Sequence, residues 1–344
     1  MLLHHEKVDF LHLPTPIEYL PTLSEELGIR LYIKRDDLTN LGVGGNKLRK
    51  LQYFLYDAQQ KGATMLLTVG GAQTNHGRLT AAVAAKYGLR CAICCVDRYP
   101  NEVSANILLD RIMGADVILE APKEGVPESQ QLAALVERMT KKYEAQGEKV
   151  YYIPVGGSNE LGILGYYECA MELTHQAEEM DLKDARVVTT VGSMGTYLGL
   201  FCGLKNEGSP LSLTGVCISP WSDDPQEHVM KYYNRVKEFY GDDLTMTVTP
   251  SDFDVTQEYT WGAYNNPVRE VRDMVCHVAR KEAIILDPCY TGKTFYGMVQ
   301  MIKKGKIRQG ETVIFLHTGG LPGINTPFHR LGFEADLIDG VTVL

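Results

Sequence analysis

VVTTVGSMGTYLGL (187–200) is the stretch that decides the fold. A β-branched run, Val187 to Val191, meets five small or flexible residues, Gly192 to Thr196, and then an apolar segment that reads as helix to about residue 206. Valine and threonine fit a pleated strand, and glycine at its end lets the chain reverse into a helix. The product is a strand–turn–helix unit. The same unit recurs in both directions along the chain. Strand-like runs occur at RLYIKRDD (30–37), TMLLTVGG (64–71), RCAICCV (90–96), ADVILE (115–120), KVYYIPVGG (149–157), LTGVCIS (213–219) and TVIFLHTGG (312–320). Helix-like segments fall at 46–61, 75–88, 102–113, 127–146, 161–180, 195–206 and 265–281. Near-continuous apolar strands alternating with amphipathic helices predict an α/β fold with parallel-rich twisted sheets flanked by helices.

At 344 residues the chain suffices for two domains of ordinary size, and 44% hydrophobic with 22% charged residues describes a globular protein. The net charge of −9 argues against a general nucleic-acid binder. No apolar run approaches the roughly 18 residues of a membrane span. The start, MLLHHEKVDF, has neither the basic residues nor the apolar stretch of a secretory signal. Cys91 and Cys94 form a C-x-x-C, but no second pair stands at zinc-ligand spacing, and RCAICCV reads as a buried strand. Core packing is therefore the expected role of the cysteines, with no metal site, and unpaired thiols in this number fit the cytoplasm.

Four junctions of strand and helix are candidates for chemistry, because ligands of open α/β sheets collect at the carboxyl ends of strands. In GVGGNKLRKLQYF (42–54), Asn46 is a candidate N-cap and Lys47 falls in the first helical turn. A cation there opposes the helix dipole, and the same field favours the neutral, nucleophilic amine. The alternative is a surface lysine in a charged patch with Arg49 and Lys50. The spacing rules out a phosphate-binding P-loop. In TVGGAQTNHGRLTAAVAA (68–85), Thr74, Asn75 and His76 open a helix whose free N–H groups suit an anion, although an ordinary cap at Thr74 or Asn75 explains them equally. The turn of Gly192, Ser193, Met194, Gly195 and Thr196 reads as a phosphate cup or as a simple turn, and lacks the dinucleotide-binding spacing. Near the C-terminus, Tyr290 in ILDPCYTGKTFYG (285–297) is a candidate acid or base, and His317 in FLHTGGLPG (315–323) reads better as a core histidine.

Together these strings resemble the D-cysteine desulfhydrase and 1-aminocyclopropane-1-carboxylate (ACC) deaminase family, within the tryptophan-synthase-β-like, fold type II enzymes that use pyridoxal 5′-phosphate (PLP). LPTPIEYLPTLSEELG (13–28), YIKRDDLTNLGVGGNKLRKL (32–51), GGAQTNHGR (70–78), PVGGSNELGILGY (154–166), GSMGTYLGL (192–200), LDPCYTGK (286–293) and FLHTGGLPG (315–323) occur in family order. The resemblance implies a large PLP-binding domain from 1–53 and 163–344, with a smaller domain at 54–162 inserted in it. It implies that Lys47 holds PLP as a Schiff base and shuttles the Cα proton. Asn75 would contact the phenolic oxygen of PLP, residues 192–196 its phosphate, and Thr291 its pyridine nitrogen. Thr74, Asn75 and His76 would surround the substrate carboxylate, while Tyr264, in YTWGAY (259–264), and Tyr290 face the substrate. The family usually has serine where this chain has Thr74, and the added methyl is expected to narrow the space around substrate Cα.

The implied activity is β-elimination from a cysteine-like amino acid, D-cysteine first, giving pyruvate, ammonia and hydrogen sulfide. ACC ring opening, L-cysteate desulfonation or elimination from another β-substituted alanine are the alternatives within the chemistry. A non-catalytic small-molecule binder is the alternative outside it, since fold does not fix function. Intact Lys47, Thr74, Asn75 and Tyr290 speak against the latter. A homodimer is implied, acting on a small amino acid, with no nucleic-acid or membrane partner.

Overall fold

The computed structural model describes residues 2–99, 101–182 and 184–342, so Met1 of the N-terminal run lies outside it. Strands in chain order are β1 (Ile17–Tyr19), β2 (Arg30–Lys34), β3 (Met65–Gly70), β4 (Arg90–Val96), β5 (Asp116–Glu120), β6 (Val150–Ile153), β7 (Arg186–Val191), β8 (Ser212–Cys217), β9 (Val255–Thr256) and β10 (Thr312–Leu316). Helices are α1 (Pro21–Leu27), α2 (Lys47–Gln60), α3 (Asn75–Lys86), α4 (Ala105–Ile112), α5 (Glu128–Glu144), α6 (Leu164–Glu179), α7 (Gly195–Asn206), α8 (Pro225–Tyr240), α9 (Arg269–Glu282), α10 (Thr291–Lys303) and α11 (Pro327–Leu337).

The strands form two sheets. One has six strands in the order β1-β2-β10-β7-β8-β9, parallel except for the antiparallel edge strand β1. The other has four parallel strands, β5-β4-β3-β6. Both faces of each sheet are covered, as the continuous apolar runs require. Along β10, Val313 and Phe315 pack into one core with Phe295 and Met298 of α10, while Ile314 and Leu316 pack into another with Tyr166 and Leu200. Along β4, Cys91, Ile93 and Cys95 face one side and Ala92, Cys94 and Val96 the other. All eight cysteines are free thiols, seven of them buried and Cys276 partly so. Among the described residues no helix is long and apolar enough to cross a membrane, and no cluster of side chains has metal-ligand geometry.

Small residues let the helices that carry the site approach closely. A Cβ on Gly165 of α6 would stand 2.4 Å from the backbone of Arg49 in α2, and one on Gly199 of α7 would stand 2.4 Å from the Ile163 carbonyl. These approaches bring the starts of α2 and α7, hence Lys47 and the 192–196 turn, to one place.

Several expectations need correction. Helix α9 begins at Arg269, not 265, because Pro267 disfavours helical geometry in the residue before it. Helix α4 begins at Ala105 rather than 102, after an extended Ser104. Arg49 and Lys50 form no surface patch, since both are buried. Arg49 joins Asp36 at 2.8 Å and Glu172 at 2.9 Å, and Lys34 bonds the same Glu172. That ionic cluster ties α2 and α6 to the end of β2 behind the site.

Candidate active site

The C-terminal ends of β3, β7 and β10 and the starts of α2, α3 and α7 open onto one cavity of about 530 Å³. Lys47, Thr74, Asn75, His76, Tyr264 and Tyr290 line it, as do Gly192, Ser193, Met194 and Thr196. Gly195 and Thr291 do not.

Lys47 is the first residue of α2 and, among the described residues, the only lysine on the cavity wall. Burial lowers its pKa to about 8, so a substantial neutral fraction exists at neutral pH. The loop before it is held rigidly. Gly44 has φ +68°, and a Cβ there would fall 2.0 Å from the Asp37 carbonyl. The Arg78 guanidinium donates to the Gly42 carbonyl at 2.8 Å and the Gly44 carbonyl at 3.1 Å. Asn46 is not the side-chain cap expected from sequence. Its amide instead donates to Thr196 Oγ1 at 2.9 Å, joining the lysine loop to the 192–196 turn.

Thr74 does cap α3, accepting from the Gly77 N–H at 3.3 Å, and lines the cavity as well. The two readings of this residue are therefore compatible. A Cβ on Gly77 would lie 2.5 Å from the Thr74 methyl, which shows the methyl seated against that glycine. Asn75 Oδ1 accepts from Asn106 Nδ2 at 3.0 Å, and Asn106 gives its other amide proton to the Gln73 carbonyl at 2.7 Å. This fixes the Asn75 amide so that its NH₂ is available to an acceptor in the cavity. His76 is buried with neither ring nitrogen paired, and desolvation, reinforced by Lys47 and Lys50, holds its pKa well below the usual value. A buried, neutral, unpartnered imidazole beside a cavity is a binding group in want of a ligand.

At the turn, Met194 adopts φ +64°. The Gly195 N–H is spent on Ser193 O at 2.9 Å and Ser158 Oγ at 3.2 Å, which explains why Gly195 does not reach the cavity. Ser158 Oγ also donates to Ser193 Oγ at 2.8 Å. Behind the turn stands Lys50, fully buried, donating to the Gly156 carbonyl at 3.1 Å and Ser158 Oγ at 3.3 Å. Burial, then the charge of Lys47, pushes its pKa far down. Among the described residues no carboxylate lies within ion-pair distance of it. A Cβ on Gly195 would sit 2.9 Å from Lys50 Nζ, so the amine abuts the turn. An anion there would supply the missing partner. Lys50 was legible as the i+3 neighbour of Lys47 on one helix face, and the basic run around it hid that relation.

The Tyr290 hydroxyl meets that of Tyr264, a residue 42% exposed whose hydroxyl end is enclosed. Desolvation of the paired hydroxyls, then mutual proximity for Tyr264, raises both phenols well above their ordinary pKa. Both are thus proton donors at neutral pH. Tyr290 is aimed by Asp287, a buried carboxylate that accepts the N–H groups of Cys289 at 2.9 Å, Tyr290 at 2.8 Å and Thr291 at 2.8 Å at the start of α10. Thr291 serves the same cap: its hydroxyl donates to Asp287 Oδ1 at 2.7 Å and accepts the Asp287 N–H at 2.8 Å. Hydroxyls at the large-sheet end of the cavity include those of Thr190, Ser219 and Thr318, of which Thr190 pairs with Thr294 Oγ1 at 2.7 Å. His317 is the core histidine expected, bonded to the Ile285 carbonyl and the Gly319 N–H, both at 3.2 Å.

A cavity with a deprotonatable lysine, an oriented amide, hydroxyl-bearing walls and a glycine-lined turn backed by a buried lysine amine that an anion would charge fits an aromatic aldehyde phosphate. The comparison with known proteins agrees. The chain belongs to the pyridoxal-phosphate dependent enzyme family, whose profile matches residues 8–319. Its cofactor is PLP. A Pyrococcus abyssi protein named "Putative 1-aminocyclopropane-1-carboxylate deaminase" is 40% identical over 311 residues, 90% of either chain. The D-cysteine desulfhydrase of Salmonella typhimurium is 36% identical over 331 residues, covering 94% of this chain and 98% of that one. A crystal structure described as an ACC deaminase homologue superposes with a TM-score of 0.83 at 35% identity, covering 98% of this chain and 97% of that one. At the level these relatives share, the chain is a PLP-dependent lyase of the ACC deaminase and D-cysteine desulfhydrase type.

Proposed function

We propose that the enzyme catalyses β-elimination from a cysteine-like amino acid, with D-cysteine the preferred substrate and pyruvate, ammonia and hydrogen sulfide the products. The observation that carries this reading is the placement of carboxylates around the cavity. Asp97, after β4, and Glu128, at the start of α5, line it from the small-sheet side. The ends of β7 and β10 contribute the uncharged Thr190 and Thr318, while the nearby Asp287 is spent on the start of α10. When bound, PLP supplies the sink for electrons released at substrate Cα. A hydroxyl facing the pyridine nitrogen sustains a weaker sink than a carboxylate would. A thiolate leaving from Cβ carries its negative charge away with sulfur and tolerates that weakness, whereas opening a cyclopropane ring does not.

In this reading the α3 start holds the substrate carboxylate through its free N–H groups and Thr74, with His76 as a neutral partner. Lys47, as the free amine, removes the Cα proton. Tyr290, paired with Tyr264, donates a proton to the departing sulfur. Asn75 holds the phenolic oxygen of PLP, and the 192–196 turn with Lys50 holds its phosphate. Thr318 replaces Thr291 as the residue proposed for the pyridine nitrogen, because the Thr291 hydroxyl is already committed to Asp287. The division into a domain of 1–53 and 163–344 and an inserted one of 54–162, the homodimer and the cytoplasmic location belong to the same proposal. Strand membership supports the division, since β3 to β6 make up the smaller sheet, although α2 runs continuously across residue 53.

The test is kcat/KM for D-cysteine, L-cysteine, L-cysteate and ACC on one preparation, reading pyruvate, sulfide, sulfite and 2-oxobutyrate. Fastest turnover with D-cysteine is expected. Rapid 2-oxobutyrate release from ACC with slower sulfide release would overturn the choice.

A further inference from the structure

Lys293 lies outside the cavity and has no part in the chemistry above, yet its surroundings are unusual. The side chain is fully buried. Its ammonium donates to the carbonyls of Ile218 at 3.0 Å, Thr260 at 3.0 Å and Ala263 at 2.8 Å, and to Asn266 Oδ1 at 2.8 Å. An ammonium has three protons, so four oxygens at this distance are held by its charge as well as by hydrogen bonds. Among the described residues it makes no ion pair with a carboxylate. Lys293 is also the third residue of α10, where the helix dipole disfavours a cation. The carbonyl dipoles offset that cost; burial still lowers the Lys293 pKa, and the nearby Cys289 and Asp287 oppose that lowering.

Three of the four oxygens bracket Tyr264. They belong to Thr260, Ala263 and Asn266, in a segment between β9 and α9 that has neither strand nor helix of its own. Trp261 and Asn265 in it adopt positive φ, +50° and +55°. Its other ties include Asn266 Nδ2 to the Trp261 carbonyl at 2.8 Å, Asn265 Oδ1 to His329 Nε2 at 2.9 Å, and the rings of Tyr259 and Trp261 against Tyr296 of α10. The fourth oxygen, of Ile218, lies just past β8 on the cavity wall. Tyr290 stands three residues before Lys293, one helical turn away on the same face.

We infer that Lys293 is a positioning residue: an internal cation that fastens the 259–266 segment to the start of α10 and so keeps the Tyr264 hydroxyl on that of Tyr290. The inference rests on the reading that this tyrosine pair faces the substrate. A coil with two left-handed residues has little of its own to fix a side chain, and a buried charge gathering its carbonyls provides the fixed point. Replacing the charge with an apolar chain of similar length releases three backbone carbonyls at once.

The test is Lys293→Met in the holoenzyme, with hydrogen exchange read by mass spectrometry beside steady-state kinetics. Exchange in 259–266 is expected to rise at least about 10-fold while β3 and β4 keep their protection, and kcat to fall by about 10-fold, less than the roughly 10²–10⁴-fold that a fully positioned proton donor contributes. KM should change less, and PLP should stay bound. Asn266→Ala, which removes a single oxygen, should shift both readouts the same way by less, and it serves alone if Lys293→Met does not fold. Unchanged exchange in 259–266 would overturn the inference. So would a rise spread evenly over both sheets, which would make Lys293 a general stabiliser. Tyr264→Phe, measured alongside, separates the two readings: full turnover in that variant removes the role of the tyrosine pair, while the exchange data still decide whether Lys293 fastens the segment.

Discussion

Replacing Lys50 with methionine tests how the site is built to hold an anion. The amine is buried, has only the Gly156 carbonyl and Ser158 Oγ as partners, and abuts the turn at 192–196. Two opposite unit charges about 4 Å apart attract by roughly 4 kcal/mol at the effective dielectric of a protein site. Desolvation takes back part of this, and the turn's other donors remain, so a net loss of about 2–4 kcal/mol is expected. That corresponds to PLP binding roughly 30- to 1000-fold weaker. The apoprotein should behave in the opposite sense. Methionine keeps the length of the side chain and removes a buried amine with no carboxylate partner among the described residues, so apo Lys50→Met should melt no lower than wild type. Titrating resolved apoprotein with PLP gives Kd, and thermal melts of apo and holo forms give the second readout. An unchanged Kd, or an apoprotein markedly less stable than wild type, would refute the account of Lys50 as the counter-charge.

Tyr290→Phe should keep PLP bound and lower turnover by about 10²–10⁴-fold; unchanged turnover would reduce Tyr290 to a wall of the pocket. Thr74→Ser should leave the ratio of kcat/KM for D-cysteine to that for L-cysteate essentially unaltered, because the methyl it removes is seated against Gly77. A large change in the ratio would restore the expectation that the methyl narrows the substrate space. In the apoprotein, capture of Lys47 by an amine-reactive probe should rise with pH around a midpoint near 8 instead of 10.5, since burial lowers its pKa and only the neutral amine reacts. A midpoint near 10.5, measured by mass spectrometry of the labelled peptide, would contradict the desolvated setting.

Eight strands were legible because each carries an apolar, β-rich run, fully buried in the central strands and half-buried at the edges β5 and β6. The two that were not, β1 and β9, have three and two residues at sheet edges, too short to carry a periodic signal. Helix α8 was legible and overlooked: Asp224 caps it with bonds to the N–H groups of Gln226 and Glu227, Pro225 opens it and Gly241 ends it. In the site, residues that open a helix were readable from glycine and small polar residues at strand ends. Lys50 was hidden by the basic run around it, and Asn106 and Asp287, acting from behind, were not readable because their partners are distant in sequence or are backbone groups. Thr291 shows the limit most clearly. Tyr290 and Thr291 are adjacent, and sequence gives no reason to send one into the cavity and the other into the cap of α10. Asp287 decides it by taking the Thr291 hydroxyl.

The most direct test of the central claim is borohydride reduction of the holoenzyme followed by peptide mapping. The protein should be yellow, lose that absorbance on reduction, and carry a phosphopyridoxyl group on Lys47, the only lysine lining the cavity among the described residues. An adduct on Lys34, Lys50 or Lys293 with Lys47 unmodified would contradict the account.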